Sequence, residues 1–284
     1  MQSRRRVTLR NVAIFTVVVL GIGWVGRWLD TVMGSPSTEG LGILLWIVTP
    51  TLVALLLRAF AGDGWADFGL KPNFRGNGIW YLFALLVYPV LTTLVLAIGG
   101  GLQWISFPGL SLATLAIIVQ TFALAAIPQF IKNIFEEAAW RGYLTPKVDS
   151  LGLTAYGGHL LVGLIWGAWH ITYYLYFLDR TLLQGFTTLP VAAFIPLAIA
   201  VMMVWAIVYG EIRLLTGSIW PVVLMHMVED AFVNQLILDD HIVIAPGAEL
   251  LVSPVHGAIS ILLFLAAGIA LHRYRTAHAA MRLA

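Results

Sequence analysis

The 284-residue sequence contains no cysteine and very little charge. The absence of cysteine excludes disulfides, thiol nucleophiles and thiolate metal sites. Charged residues make up only 11% of the chain, against roughly 25% in a soluble domain, and the mean hydropathy is +0.90. The composition therefore indicates a polytopic membrane protein in a lipid bilayer. The formal net charge of +2 comes from arginines in loops, so it does not indicate a nucleic-acid partner.

Apolar residues occur in eight blocks, each long enough to cross a hydrocarbon core of about 30 Å as a helix. The predicted spans cover residues 12–28, 40–60, 79–100, 111–131, 156–178, 188–209, 218–238 and 254–272. We interpret the first as an uncleaved membrane helix, because no small-x-small cleavage site follows it. A helix-compatible pattern continues past the fourth apolar run to Thr145. We expect a single all-α membrane domain over residues 1–284, since no linker or internal repeat is visible.

The distribution of positive charge predicts the orientation of the chain. With eight spans, the segments on the side of the termini hold all 16 lysines and arginines except Arg27 and Arg180. Positive residues favour the cytoplasmic side of a membrane. We therefore expect both termini in the cytoplasm and, because the loops are short and no organelle signal is visible, a prokaryotic cell membrane. Glu211 and Arg213 are assigned to a short solvated loop on the same side.

Residues 135–143, F-E-E-A-A-W-R-G-Y, place two adjacent carboxylates and a guanidinium in a chain that otherwise avoids charge. On a helix, Glu137 and Arg141 are four residues apart and pair on one face. Glu136 points about 100° away from that face and has no evident local partner. A carboxylate that is not consumed by a neighbouring salt bridge is a candidate general base. The alternative is that Glu137 and Arg141 form only a structural ion pair.

Two further spans carry ionisable residues, each of which costs roughly 2.5–3.5 kcal/mol to insert into a membrane. The fifth contains W-G-A-W-H, with His170 four residues after Trp166, and the seventh contains H-M-V-E-D, with His226 and Asp230 on one helical face. If these spans pack against the fourth, the three sets form one polar cavity between the fourth, fifth and seventh helices. Carboxylates, imidazoles and a fixed cation suit activation of water and stabilisation of an oxyanion.

Several of these polar residues also have a structural interpretation. His226 and Asp230 could clamp two helices together, and Trp166 could serve only for packing. We expect His159 and His272 to form hydrogen bonds with neighbouring helices. Glu229, which is turned away from Asp230 and could face an outer aqueous vestibule, is left unassigned.

The ordered motifs E-E-x-x-x-R, aromatic-x-x-x-H and H-x-x-x-N/D lie within about residues 110–240. This set resembles the CAAX-protease and bacteriocin-processing family of intramembrane endopeptidases, whose best-known branch is the Ras-converting enzyme type. The resemblance implies that Glu136 and His170 activate the attacking water. It also implies that His226 and Asp230 stabilise the oxyanion or orient the cavity.

The same resemblance implies that Glu137 and Arg141 organise the site or hold substrate. The sequence departs from the family pattern at two positions. Trp166 stands where phenylalanine is commonest, and Asp230 stands where the prenyl-protein enzymes have asparagine. An ionised aspartate cannot donate a hydrogen bond to an oxyanion. We therefore expect Asp230 to accept a hydrogen bond from His226 and to orient its imidazole.

The predicted function is glutamate-dependent hydrolysis of a peptide bond near the cytoplasmic face of the membrane. The substrate would be a peptide or membrane protein that enters laterally or from the cytoplasm. No cofactor is expected, and a zinc site built from His170, His226 and a carboxylate is the less favoured alternative. A non-proteolytic scaffold or immunity protein of the same fold is a second functional class. A transporter is the weakest alternative, because no pair of broken helices in matching halves is visible.

Overall fold

The computed structural model describes residues 2–154 and 156–281 and is mostly helical, with almost no strand. Eight of the helices in these residues are long and apolar enough to cross a membrane, which confirms the predicted all-α membrane class. The helices are α1 (Gln2–Met33), α2 (Leu41–Phe60), α3 (Gly78–Gly101), α4 (Leu112–Asp149), α5 (Gly157–Phe177), the short α6 (Arg180–Phe186), α7 (Val191–Thr216), α8 (Trp220–Leu238), the short α9 (Glu249–Val252) and α10 (Ala258–Met281). Two short strands, β1 (Ile105–Ser106) and β2 (Val243–Ile244), pair in an antiparallel manner.

Helix α4 continues through Pro146, where a helix would often break, because side chains supply the missing hydrogen bonds. Proline has no N–H and crowds the carbonyl one turn earlier, and a π-helical turn precedes it here. Arg213 Nε donates to the carbonyl oxygen of Arg141 at 2.9 Å. Arg58 Nη2 donates to the carbonyl oxygen of Gly142 at 2.5 Å. The two buried arginines therefore satisfy backbone groups that would otherwise lie unpaired inside the bundle.

Helices α5 and α7 pack closely through two glycines that share one face of α5. A Cβ atom added at Gly163 would lie 2.5 Å from Met203 Cα, and one added at Gly167 would lie 2.9 Å from Ile199 Cα. Small residues four positions apart let membrane helices approach until their backbones touch. This contact fixes the height of α5 against α7, and with it the position of His170 on the next turn.

The end of the bundle that carries the chain termini is closed by the connection between α2 and α3. Lys147 Nζ donates to the carbonyl oxygen of Asp63 at 2.9 Å and lies 3.0 Å from an oxygen of Asp67. Arg58 Nη1 lies 2.6 Å from Asp67. Partial burial raises the pKa of Asp67, but the hydrogen bonds and charges of Arg58 and Lys147 outweigh it and hold the pKa below the ordinary value. The network ties this connection to α2 and α4.

Glu211 and Arg213 do not lie in a solvated loop, so this part of the sequence prediction was wrong. Helix α7 extends beyond both residues, and both side chains are buried. Glu211 accepts hydrogen bonds from His159, His272 and Arg275. The apolar run ends at residue 209, and only partners from α5 and α10 make the next turn of α7 compatible with burial. The expected hydrogen bonds of His159 and His272 to a neighbouring helix are confirmed.

Candidate active site

Each helix that carries predicted site residues contains a π-helical turn that directly follows these residues or includes the last of them. The turns are Trp140–Leu144 in α4, Tyr173–Phe177 in α5 and Glu229–Val233 in α8. A π-helical turn widens the backbone by one residue and changes the direction of the side chains that flank it, and such turns are frequent at functional sites. The sequence contains no pattern from which these turns could be predicted.

A cavity of about 310 Å³ lies between these three helices, α2 and α7. The predicted site residues among its lining are Glu136, Trp166, His170, His226 and Asp230. Glu137 and Arg141 are fully buried and do not contribute to the lining that the described residues form. The structure thus brings all the predicted residues into one region, with five on the cavity wall and two behind it.

Glu136 has two polar neighbours, and the expectation that it lacks a local partner was wrong. Lys132 Nζ lies 3.3 Å from Glu136 Oε1, because a lysine one helical turn earlier is long enough to reach it. Trp166 Nε1 donates to Glu136 Oε2 at 3.3 Å. Both contacts are long, and the carboxylate also lines the cavity. It therefore retains lone pairs that can accept a proton or a hydrogen bond from water.

His170 is held in one tautomer by the backbone of its own helix. Its Nδ1 lies 2.9 Å from the carbonyl oxygen of Trp166. A carbonyl oxygen only accepts hydrogen bonds, so Nδ1 carries the proton. In the neutral imidazole Nε2 then has a free lone pair. Because His170 lines the same cavity as Glu136, the two side chains can act on one water molecule.

His226 is oriented by Glu137, whereas the sequence predicted that Asp230 would orient it. His226 Nδ1 lies 2.8 Å from Glu137 Oε1, while His226 Nε2 lies 3.8 Å from the nearest oxygen of Asp230. The π-helical turn begins between the two α8 residues, so they no longer have the spacing of a regular helical turn. Arg141 Nη1 donates to the same Glu137 oxygen at 3.0 Å. Its guanidinium is enclosed by the rings of Trp166 and Tyr209.

Asp230 instead binds two residues of α4 that the sequence analysis did not assign to the site. Lys132 Nζ lies 2.9 Å from Asp230 Oδ2, and Asn133 Nδ2 donates to the same oxygen at 2.8 Å. Lys132 therefore bridges two carboxylates, those of Glu136 and Asp230. A sequence signal existed, because Lys132 precedes Glu136 by four residues, the spacing of a helical ion pair.

Glu229, which the sequence left unassigned, also lines the cavity. It is 4% exposed and lies beside Asp230 and His226, with ligand atoms of all three within 4.8 Å of one another. Two carboxylates and an imidazole are donors that could hold a divalent cation. Lys132 already places a positive charge on Asp230, however, and His170 is not part of this group. The donor set thus differs from the zinc set considered from the sequence.

The cavity extends from Glu136 away from the end of the bundle that carries the termini. Its far wall contains Ile43 at the start of α2, Leu183 of α6, Phe194 at the start of α7 and His256 before α10. The network around Asp67 lies at the opposite end of the bundle. The cavity thus runs away from the side of the termini, and substrate entry laterally or from the cytoplasm stays a prediction.

The fold and the site together define a class, a polytopic helical membrane protein with carboxylates and imidazoles around a buried cavity. Residues 111–232 match the family model described as type II CAAX prenyl endopeptidase Rce1-like. The match covers 122 of the 284 residues and supports membership of the CAAX-protease and bacteriocin-processing family. At the level of the family it supports an intramembrane endopeptidase of the CAAX-protease type. The search of curated proteins found no match to the chain. The matched segment contains all the predicted site residues.

Proposed function

We propose that the protein hydrolyses a peptide bond with Glu136 as general base, without a metal ion. The observation that carries the proposal is the placement of Glu136 and His170 on one cavity, each with a proton-accepting atom available. Lys132 supplies a fixed positive charge to the same wall. A carboxylate, an imidazole and a cation are sufficient for general-base attack of water on a carbonyl group.

In the proposed reaction, Glu136 removes a proton from water while the water oxygen attacks the carbonyl carbon of the substrate. His170 Nε2 accepts a hydrogen bond from the second proton of this water and orients it. Lys132 stabilises the negative charge that develops on the carbonyl oxygen. His226 donates its Nδ1 proton to Glu137, so it contributes to this stabilisation in the doubly protonated form, in which Nε2 also carries a proton. The C–N bond then breaks, and Glu136 returns its proton to the leaving nitrogen.

The other residues hold these groups in place. Asp230 and Asn133 fix Lys132, and Glu137 with Arg141 fixes His226. Positioning of this kind matters because small displacements of reacting groups cost large factors in rate. In this assignment Asp230 orients the cavity by holding Lys132, which is one of the two roles that the family resemblance implied for it.

The substrate in this proposal is a peptide or a segment of a membrane protein in the cell membrane. The matched family is described as prenyl endopeptidases, so peptides with prenylated C-termini belong in the first substrate panel. The apolar lining of the cavity, which includes Phe186, Phe194 and Val201, suits apolar side chains or a lipid group.

The test is an endopeptidase assay in liposomes with fluorogenic peptides, prenylated and unmodified. We expect the purified parent to cleave at least one peptide, and Glu136→Gln and His170→Ala to lose about 10²- to 10⁴-fold in rate. The matched control is Glu39→Gln, the same change at an exposed carboxylate, which should leave the rate unchanged.

Three results would contradict the proposal. Full activity of Glu136→Gln would exclude a general base at this position. Loss of activity with a chelator and recovery with zinc would move the reaction to a metal held by the His226, Glu229 and Asp230 donors. A parent that cleaves no peptide, together with a membrane partner that co-purifies equally with both variants, would favour the scaffold function.

A further inference from the structure

The cavity contains a polar group at its far end that the proposed mechanism does not use. His256 lies just before α10, outside the segment that matches the family, and is 1% exposed. Its ring lines the cavity, and its Nε2 has no hydrogen-bond partner in the part of the chain that the structure describes. A buried polar group without a hydrogen-bond partner destabilises a folded protein. Such a group at a cavity wall indicates a ligand that provides the missing partner.

Ser253 determines which nitrogen of His256 carries the proton. Ser253 Oγ accepts hydrogen bonds from the backbone N–H groups of Val255 and His256, each at 3.4 Å, and lies 3.2 Å from His256 Nδ1. Since the oxygen already accepts these bonds, its hydroxyl proton is donated to Nδ1, and the neutral imidazole keeps its own proton on Nε2. Burial lowers the pKa of His256 against the opposing charge of Glu249, which favours this neutral form.

The position of His256 matches the length of a short peptide segment. Its ring packs edge-on against Phe194, with centroids 5.6 Å apart. Phe194 and Trp205 both line the cavity, and their separation on α7 corresponds to about 16 Å. Trp205 is one turn from Tyr209, whose ring centroid lies 5.7 Å from that of His226. An extended chain advances about 3.4 Å per residue, so about four or five residues span this distance.

We infer that His256 forms a distal substrate subsite, in which Nε2–H donates a hydrogen bond to a backbone carbonyl about four or five residues from the cleaved bond. The wall between the two positions is apolar and includes Leu183, Phe186 and Val201. The bound segment is therefore an extended peptide with apolar side chains. The inference rests on the proposed function, because it takes a peptide as the ligand of the cavity.

A binding measurement tests the subsite without turnover. Fluorescein-labelled leucine–alanine peptides of about three to nine residues are titrated in detergent against Glu136→Gln, and anisotropy gives Kd. We expect Kd to fall about 3- to 10-fold at the length that first reaches His256, which is the effect of one hydrogen bond. We call this fall in Kd the length step. In the same background, His256→Phe keeps a ring without a donor and should not show the length step. His256→Gln keeps an N–H donor and should retain it.

The control is His278→Phe, the same change near the opposite end of α10, which should retain the step. The inference is overturned if the step survives in His256→Phe, if His278→Phe loses it equally, or if no protein shows a length step. Hydrolysis and the subsite can fail separately. A parent that cleaves no peptide but binds with a His256-dependent step would refute only the hydrolysis, and cleavage without any length step would refute only the subsite.

Discussion

Two buried glutamates of this protein have the same types of residue nearby but differ in how completely their oxygens are hydrogen-bonded. Glu211 and Glu136 each lie inside the helical bundle near a cation and near imidazoles. Around Glu211 both oxygens are occupied, with Arg275 at 2.5 Å from Oε2 and His272 at 2.7 Å from Oε1. Around Glu136 the two polar contacts are each 3.3 Å long, and the carboxylate lines the large cavity.

The comparison shows that the two clusters differ in how fully the carboxylate oxygens are hydrogen-bonded. The fully bonded glutamate belongs to a structural cluster, and the partly bonded one belongs to the candidate catalytic cluster. A buried carboxylate whose two oxygens both accept short hydrogen bonds has little capacity left for a new ligand and contributes to the stability of the fold. A partly paired one beside a cavity can accept a proton from water at little structural cost. The kinds of residue present do not distinguish the two clusters, because glutamate, histidine and a cation occur in both.

The largest effects are expected when the same substitution is made at the two glutamates. Glu136→Gln should lower the rate of peptide hydrolysis by about 10²- to 10⁴-fold and leave the unfolding temperature almost unchanged. Glu211→Gln should lower the free energy of unfolding by about 2 kcal/mol, because it removes the charge that accepts hydrogen bonds from Arg275, whose side chain is 28% exposed. Its rate per folded molecule should equal that of the parent. Thermal unfolding in detergent and the peptide assay measure the two effects.

Two results would contradict the distinction between a structural Glu211 and a catalytic Glu136. If Glu211→Gln lost turnover while remaining folded, the saturated cluster would have to be placed in the catalytic machinery. If Glu136→Gln unfolded the protein, the carboxylate would be a structural group and saturation would not be a useful criterion.

The large-scale features of both regions could be predicted from the sequence. Apolar runs define the eight spans, and an ionisable residue within such a run is expensive enough to stand out. His170 and His226 are recognisable for this reason, whereas Glu136, which lies past the fourth run, is recognisable as one of two adjacent carboxylates in a chain that otherwise avoids charge. The pairing of His226 with Glu137, and not with Asp230, could not be predicted, because it depends on the rotation of each helix about its axis. The π-helical turn after His226 moved its orienting carboxylate from Asp230 to Glu137.

The same limit explains the residues that were missed. In the sequence, Lys132 follows an apolar run and indicates only the orientation of the chain, and Arg213 is predicted to lie in a solvated loop. The structure places both at contacts inside the bundle, one on Asp230 and one on the carbonyl of Arg141. Such contacts become visible only when the position of the neighbouring helix along the bundle is known.

A smaller effect is expected at Glu137, which lies behind the cavity wall. Glu137→Gln keeps the size of the side chain but removes the charge that orients His226 and pairs with Arg141. We expect kcat to fall about 10- to 100-fold, as is typical when a residue that positions a functional imidazole is changed, with KM little altered. Steady-state kinetics would separate the two constants. A rise in KM alone would instead assign Glu137 to substrate binding.

A still smaller effect is expected at Asp230. Asp230→Asn keeps an oxygen that can accept from Lys132 and Asn133, so the position of Lys132 should be largely preserved. We expect kcat/KM to fall less than about 10-fold, the range of one weakened hydrogen bond to a charged group. Asp230→Leu is the matched variant that removes the acceptor, and it should lose more activity than Asp230→Asn. Equal losses would show that the charge of Asp230, and not its contact with Lys132, is what the site requires.

The smallest effect is expected at His256. This residue is buried, as Glu211 is, and it has an unused hydrogen-bonding atom that faces the cavity, as Glu136 has. Burial lowers its pKa in the folded protein below the ordinary value near 6.5, with Glu249 as the opposing charge and Ser253 and Phe194 as the other contacts. Below about pH 6.5 the unfolded chain therefore binds a proton that the folded protein does not. Stability contributed by neutral His256 is present above that pH and is lost as the pH falls, by at most about 1.4 kcal/mol per pH unit.

Unfolding temperatures measured between about pH 5 and pH 8 should fall more steeply toward acid for the parent than for His256→Gln, which does not titrate. Equal slopes would show that the imidazole is not buried in the neutral form, and would remove the physical basis for an unpaired donor at the far end of the cavity.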